Sequence, residues 1–303
     1  MMRPFLLYLS GHKGLRHWME TSALAYRLAH RFVAGNTLDE AITACKRVNS
    51  EGIAVTLDYL GENVHNLAEA EASRDAYLDA LRAICMNGID GNVSLKLTQF
   101  GMDISEEQCH KNVAGLVECA SSSGNFVRID MESSEYTDRT LDLVESLHAM
   151  YQACGTVIQS YLYRSARDVE RLCAKQIRVR LCKGAYLEPV SVAFQDKKDV
   201  DRNYLELARV LLAKGNYPAI ATHDEAIIRE VIAHCRGNGI GPERFEFQML
   251  YGIRRDLQRR LVADGYRLRL YIPYGRAWYP YFMRRLAERP ANVIFLARNL
   301  LRE

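Results

Sequence analysis

Short strand-like runs and helix-like stretches alternate eight times along this chain, in order and without a break. The runs are Ile53 to Leu57, Asn92 to Leu97, Phe126 to Met131, Thr156 to Tyr161, Ile177 to Cys182, Pro218 to His223, Phe245 to Leu250 and Arg267 to Ile272. Each is rich in β-branched or bulky apolar residues, and each is followed by a helical pattern. Two helices carry start signals: Thr37 with Glu40, and Ser105 with Gln108, stand at capping-box spacing. Strict βα alternation predicts an α/β protein with a parallel sheet, because parallel neighbours need a crossover between them. Eight units in roughly 250 residues predict a closed (β/α)8 barrel. A doubly wound sheet is the alternative, weakened because no G-x-G-x-x-G follows the first strand.

No Gly/Ser-rich linker or low-complexity tract divides the 303 residues, of which 49% are hydrophobic, so one domain is expected. Residues 1–50 read as N-terminal helices packed on a catalytic barrel of residues 51–303. Leu15, Trp18, Met19, Tyr26 and Phe32 lie mostly at helical spacing and predict an amphipathic helix packed on the domain. No apolar run approaches the ~20 residues of a membrane span. The eight cysteines show no C-x-x-C and no pairing with histidine at ligand spacing, which argues against a structural metal and suits a reducing compartment.

The chemistry of such a barrel belongs at the C-terminal strand ends. Here those ends carry Asp58, Lys96, Asp130, Gln159, Arg180 with Lys183, Thr222 with His223, Gln248 and Tyr271. After Tyr271, Pro273 and Gly275 are expected to stop the strand, and a helix from about Ala277 to Glu288 follows. Tyr281, Arg284, Arg285 and Glu288 stand at i, i+3, i+4 and i+7 and share one face of it. Guanidinium forks bind carboxylate or phosphate bidentately. With Lys96, Arg180, Lys183 and His223, they make a cationic mouth, set against Glu62, Asp58 and Asp130. No metal-ligand spacing and no nucleophile–His–Asp set is visible, so the mouth suits an anionic substrate held beside an anionic or redox cofactor. Two other readings stay open. Lys183 at a strand end could form the Schiff base of a class I aldolase. The C-terminal part from Arg254 on, with twelve arginines, no lysine and four acidic residues, could bind nucleic acid.

Six motifs resemble proline dehydrogenase: Thr56 to Glu62, Ser94 to Gln99, Arg180 to Tyr186, Ala221 to Asp224, Phe245 to Gly252, and Tyr271 to Asn292. The likeness runs from about Phe32 to Ala297, in order and at compatible spacings, and the length suits the short bacterial form with a single function. It implies a distorted barrel holding FAD and the oxidation of L-proline to Δ1-pyrroline-5-carboxylate, with hydride passing from proline C5 to the flavin. Arg284, Arg285 and Lys96 would bind the proline carboxylate. Tyr271 and Tyr281 would pack over the ring, Leu250 would line the apolar side, and Glu62 would pair with Arg284 as a gate. Around the FAD the resemblance places Met131, Gln159, Arg180, Cys182, Lys183, Gly184, Ala185, Thr222 and His223. Arg180 would stabilise charge near the flavin N1–O2 edge, and Asp130 would orient Lys96 and the flavin edge. Asp224 stands where many relatives have Asn, and Cys182 where many have Val. Within the family 4-hydroxyproline is the rival substrate, and the bulk of Tyr271 favours unsubstituted proline. The electron acceptor implied is a membrane quinone, reached from the cytoplasm through transient contact by the N-terminal helix or the Val293–Leu301 stretch. A pyrroline-5-carboxylate dehydrogenase would take the product. No nucleic-acid partner is implied.

Overall fold

The structure, a computed structural model, describes residues 30–61 and 64–288, with side chains through residue 283. The expected amphipathic N-terminal helix therefore lies outside the described residues, apart from Phe32, which is buried. The first described helix, α1 (Leu38–Asn49), starts at a complete capping box: the Thr37 hydroxyl accepts from the Glu40 N–H, and the Glu40 carboxylate accepts from the Thr37 N–H. Its buried side, Ala41, Ile42, Ala44, Cys45 and Val48, covers one side of the sheet.

The order that follows is β1 (Ala54–Tyr59), α2 (Leu67–Met86), β2 (Gly91–Leu95), α3 (Glu106–Ser122), β3 (Val127–Ile129), α4 (Thr137–Tyr151) and β4 (Cys154–Gln159). It continues with α5 (Ser165–Ala174), β5 (Arg178–Cys182), α6 (Lys197–Lys214), β6 (Ala219–Ala221), α7 (Glu225–Gly237) and β7 (Glu246–Leu250). The described chain ends with α8 (Arg255–Ala263), β8 (Leu268–Tyr274) and α9 (Trp278–Glu288). All neighbouring strands pair in parallel, and β8 returns to β1, so the sheet closes into a barrel. Every expected run contributes one strand. The Ser105 cap also forms, its hydroxyl accepting from the Gln108 N–H.

Pro273 does not stop β8. It pairs in register with Asp58, and the strand runs on to Tyr274. A proline lacks an N–H, but its carbonyl still accepts, here from the Ala34 N–H at 2.8 Å. The turn comes at Gly275, whose φ of +116° suits glycine.

The lumen is polar, which is unusual for this architecture. A (β/α)8 barrel is ordinarily filled by Val, Ile and Leu. In β8, Leu268, Leu270 and Ile272 alternate with Arg269 and Tyr271. The apolar set is buried in the main hydrophobic core. Arg269 bonds to Glu246 of β7, and Tyr271 to Asp130, the residue after β3. The strand therefore alternates, with its charged face turned inward. Charges buried this way are tolerated only when paired and hydrogen-bonded.

Candidate active site

Alternation along β5 puts Arg178, Arg180 and Cys182 on one face. Arg180 is 6% exposed and reaches across the lumen. Its Nε donates to Gln248 Oε1 on β7 at 2.5 Å, and its Nη1 donates to Asp130 Oδ1 beyond β3 at 2.7 Å and to Ser94 Oγ on β2 at 3.1 Å. None of these strands neighbours β5, so the groups meet only through the barrel interior. The Tyr271 ring lies 5.3 Å from the guanidinium carbon, within range of a cation–π contact. The remaining nitrogen, Nη2, is buried without a hydrogen-bond partner.

Asp130 gathers three donors. Ser94 Oγ and Arg180 Nη1 each reach Oδ1 at 2.7 Å, and the Tyr271 hydroxyl reaches Oδ2 at 3.0 Å. Burial, reinforced by the charges of Asp130 and Asp58, pushes the Tyr271 phenol well above its ordinary range, so it stays a donor. Among the described residues, Asp58 brings a carboxylate oxygen within 3.8 Å of Lys96 and 3.2 Å of the Tyr77 hydroxyl. Tyr77 comes from α2 and sits 2.8 Å from the Ser94 carbonyl.

Around this centre the strand ends bring in the other expected residues. Gln159, buried at the end of β4, donates to the Glu132 carbonyl at 2.8 Å, and Met131 is buried beyond β3. Thr222, one residue past β6, caps the Asp224 N–H at 3.0 Å. His223 Nε2 accepts from the Leu250 N–H at 3.2 Å, which fixes the ring with its proton on Nδ1 and ties β6 to the end of β7. Cys182, the last residue of β5, and Lys183 just beyond it continue the pairing, their carbonyls accepting from the Ser160 and Tyr161 N–H groups. Gly184, with φ +114°, follows, and an added Cβ would meet the Tyr161 ring at 2.4 Å. Ala185 lies next to it in the exposed loop after β5.

Lys183 Nζ is engaged by Asp201 at 2.5 Å and Asp224 at 2.9 Å. Burial alone would raise the Asp224 carboxyl, but Lys183 and Lys197 outweigh it and hold the group below its usual range. This is the geometry of an ion-paired ammonium, not of an amine presented to a carbonyl, and it disfavours the Schiff-base reading. Tyr281 is buried in α9. Arg284 and Arg285 belong to the same helix, but their side chains lie outside the described ones, and Glu62 and the Val293–Leu301 stretch lie outside the described residues.

Sequence reasoning placed Asp130, Arg180 and Tyr271 at the mouth but did not join them. It missed Ser94 as a partner of both charges, and Tyr77, which resembles an ordinary core residue in an Ala-rich helix. Period-two spacing from Lys96 back to Ser94 was the available signal for Ser94. Among the described residues, no group of His, Cys, Asp and Glu could hold a metal, and no helix is long and apolar enough to cross a membrane.

A family model described as proline dehydrogenase matches residues 41–298. The chain is 40% identical over 304 residues to proline dehydrogenase 1 of Bacillus subtilis (strain 168), covering 100% of both chains. It is 44% identical over 282 residues to proline dehydrogenase of Deinococcus radiodurans, covering 91% of each. Among solved structures, proline utilization A from Bdellovibrio bacteriovorus, inactivated by N-propargylglycine, is similar with a TM-score of 0.81 at 26% identity. That likeness spans 86% of this chain and 32% of the other, so the chain matches about a third of that larger protein.

Proposed function

The chain belongs to the proline dehydrogenase family, and on that premise we propose how its barrel mouth oxidises L-proline to Δ1-pyrroline-5-carboxylate with FAD. The observation that carries the reading is Arg180: a buried guanidinium held on two sides by Gln248 and Asp130, with a third nitrogen left without a partner. An unsatisfied buried donor is costly, and an electron-rich carbonyl edge such as a flavin's would satisfy it. The polar donor set fits that cofactor: Arg180 and Gln159 by the ring, and Lys183, Gly184, Ala185, Thr222 and His223 along the remainder, with Met131 and Cys182 as packing. Bound FAD supplies the hydride acceptor.

Lys96, Arg284 and Arg285 neutralise the proline carboxylate and fix the ring's orientation. Tyr271, anchored by Asp130, and Tyr281 close over the ring, with Leu250 on the apolar side. That closure excludes water and favours unsubstituted proline over 4-hydroxyproline. Glu62 pairs with Arg284 as a gate. As the C5–H bond breaks, the ring nitrogen's electron pair forms the C=N bond and its proton leaves. Arg180 stabilises the negative charge that develops on the acceptor, and Asp130 holds Arg180 in place for that task. Electrons then pass to a quinone at a membrane surface touched from the cytoplasmic side, and the product to a pyrroline-5-carboxylate dehydrogenase.

The product assay tests this directly. Purified protein with FAD, L-proline and an artificial electron acceptor should form the yellow adduct of o-aminobenzaldehyde with the cyclic imine. No adduct from either L-proline or 4-hydroxyproline, in protein shown to hold FAD, would refute the reading.

A further inference from the structure

Beneath the mouth, the barrel holds a second polar layer that the reaction does not touch. Glu246 on β7 is 4% exposed, and its carboxylate receives Arg269 Nε of β8 at 2.9 Å and Gln248 Nε2 at 2.5 Å. Arg269 Nη1 also donates to the Val55 carbonyl at 2.8 Å, which fixes the guanidinium between β8 and β1. Arg128 of β3 is buried nearby, donating to the carbonyls of Thr156 and Arg178. Below, the Tyr217 ring is flanked by Arg178 and Arg267. The layer is thus anchored at its base and bonded from strand to strand along the barrel wall.

Its link to the mouth runs through one amide. Gln248 donates downward to Glu246 Oε1 and accepts from Arg180 Nε above. An amide can flip, and a flipped Gln248 would present NH2 to the Arg180 Nε–H, donor against donor. The Glu246 carboxylate accepts only, so it fixes Gln248 with its NH2 downward and its oxygen facing Arg180. We infer that Glu246, paired with Arg269, is a positioning residue that sets the orientation of Arg180 through Gln248 and so tunes the flavin's reduction. The charge balance of the layer agrees. Burial first, then the neighbouring Arg180, pushes the Arg128 guanidinium down to about 9, while Glu246 and Asp130 oppose that shift. Glu246 itself is held below its usual range: burial would raise it, and Arg269 outweighs burial.

This inference rests on the flavin reading above, and the test separates the two. Wild-type protein is first shown to hold FAD and to be bleached by L-proline; failure there sinks the reading and not the relay. The flavin reduction potential is then measured by spectroelectrochemistry in two variants. Gln248→Leu severs the link and leaves the ion pair. Glu246→Leu with Arg269→Leu removes the pair as a unit, a replacement that buried ion pairs often tolerate. Both should lower the potential by an amount equal to about a tenfold loss of preference for the reduced form, about 30 mV for two electrons. The three substitutions combined should lower it no further than either variant alone. A wild-type potential in Gln248→Leu overturns the relay even if the paired variant does not fold. An unchanged or raised potential in the folded paired variant also overturns it, because Arg180 would then keep its orientation without the pair.

Discussion

Asp130 and Arg180, fifty residues apart in sequence, meet at 2.7 Å inside the barrel, with the Tyr271 hydroxyl on the other carboxylate oxygen at 3.0 Å. One acid therefore fixes both the guanidinium assigned to the cofactor and the aromatic ring assigned to the substrate.

Replacing Asp130 with Ala should accordingly disturb both. Arg180 loses its carboxylate and is free to swing away from the cofactor. We expect kcat for proline to fall by about a hundredfold, the scale of losing a preorganised charge contact. Steady-state kinetics check this, with FAD content measured in the same samples. A kcat within threefold of wild type would show that Gln248 and Ser94 alone hold Arg180.

Tyr271→Phe separates the hydroxyl from the ring. The ring still packs, but the bond to Asp130 is gone, a change worth about 1 kcal/mol. The expected result is a several-fold loss in kcat/KM for proline and improved relative turnover of 4-hydroxyproline. A parallel loss with both substrates would assign the hydroxyl to Asp130 alone and not to substrate choice.

Asp224 competes for Lys183 with any phosphate placed there, because its carboxylate holds the ammonium at 2.9 Å. Asp224→Asn should tighten FAD binding a few-fold, read from the fluorescence rise as FAD dissociates on dilution. Weaker FAD binding would mean that the Asp224 carboxylate holds Lys183 in place for the cofactor and does not compete with it.

Acid stability should report the Glu246–Arg269 pair. The folded carboxyl is depressed below its unfolded value, so the pair's contribution is fully present above about pH 4.3 and is lost as pH falls through the folded value. Urea melts at pH 6 and pH 3.5 should show wild type losing more stability than the Glu246→Leu, Arg269→Leu protein. Equal losses would place the acid sensitivity elsewhere.

Thiol chemistry should be uneven. Burial pushes the Cys45, Cys109 and Cys154 thiols up to about 12, whereas Cys85 is exposed. Alkylation read by mass spectrometry at pH 8 should label Cys85 within minutes and leave those three unlabelled until the protein is denatured.

The barrel was legible because eight strand runs recur in a fixed alternation, and a parallel sheet of that many units closes. Strand ends were less legible, as β8 shows: Pro273 signals a stop, yet pairing with β1 carries the strand past it. The strand-end residues at the mouth could be read from alternation, because Arg180, Asp130 and Tyr271 sit at period-two positions. Their bonds could not, since the contacts join strands far apart in sequence across a lumen whose filling is not encoded locally. Arg269 illustrates the limit. Within its own strand it reads as the solvent face of an alternating run, and only closure of the barrel turns that face inward toward Glu246.

The central claim is that the Arg180 mouth holds FAD and takes hydride from proline. Its most direct test is an anaerobic visible spectrum of the purified protein before and after L-proline is added. The account predicts a flavin band that bleaches with L-proline in wild type and bleaches far more slowly in Arg180→Met. A flavin band in wild type that L-proline leaves unchanged, or a protein that stays colourless after FAD is supplied, would contradict it.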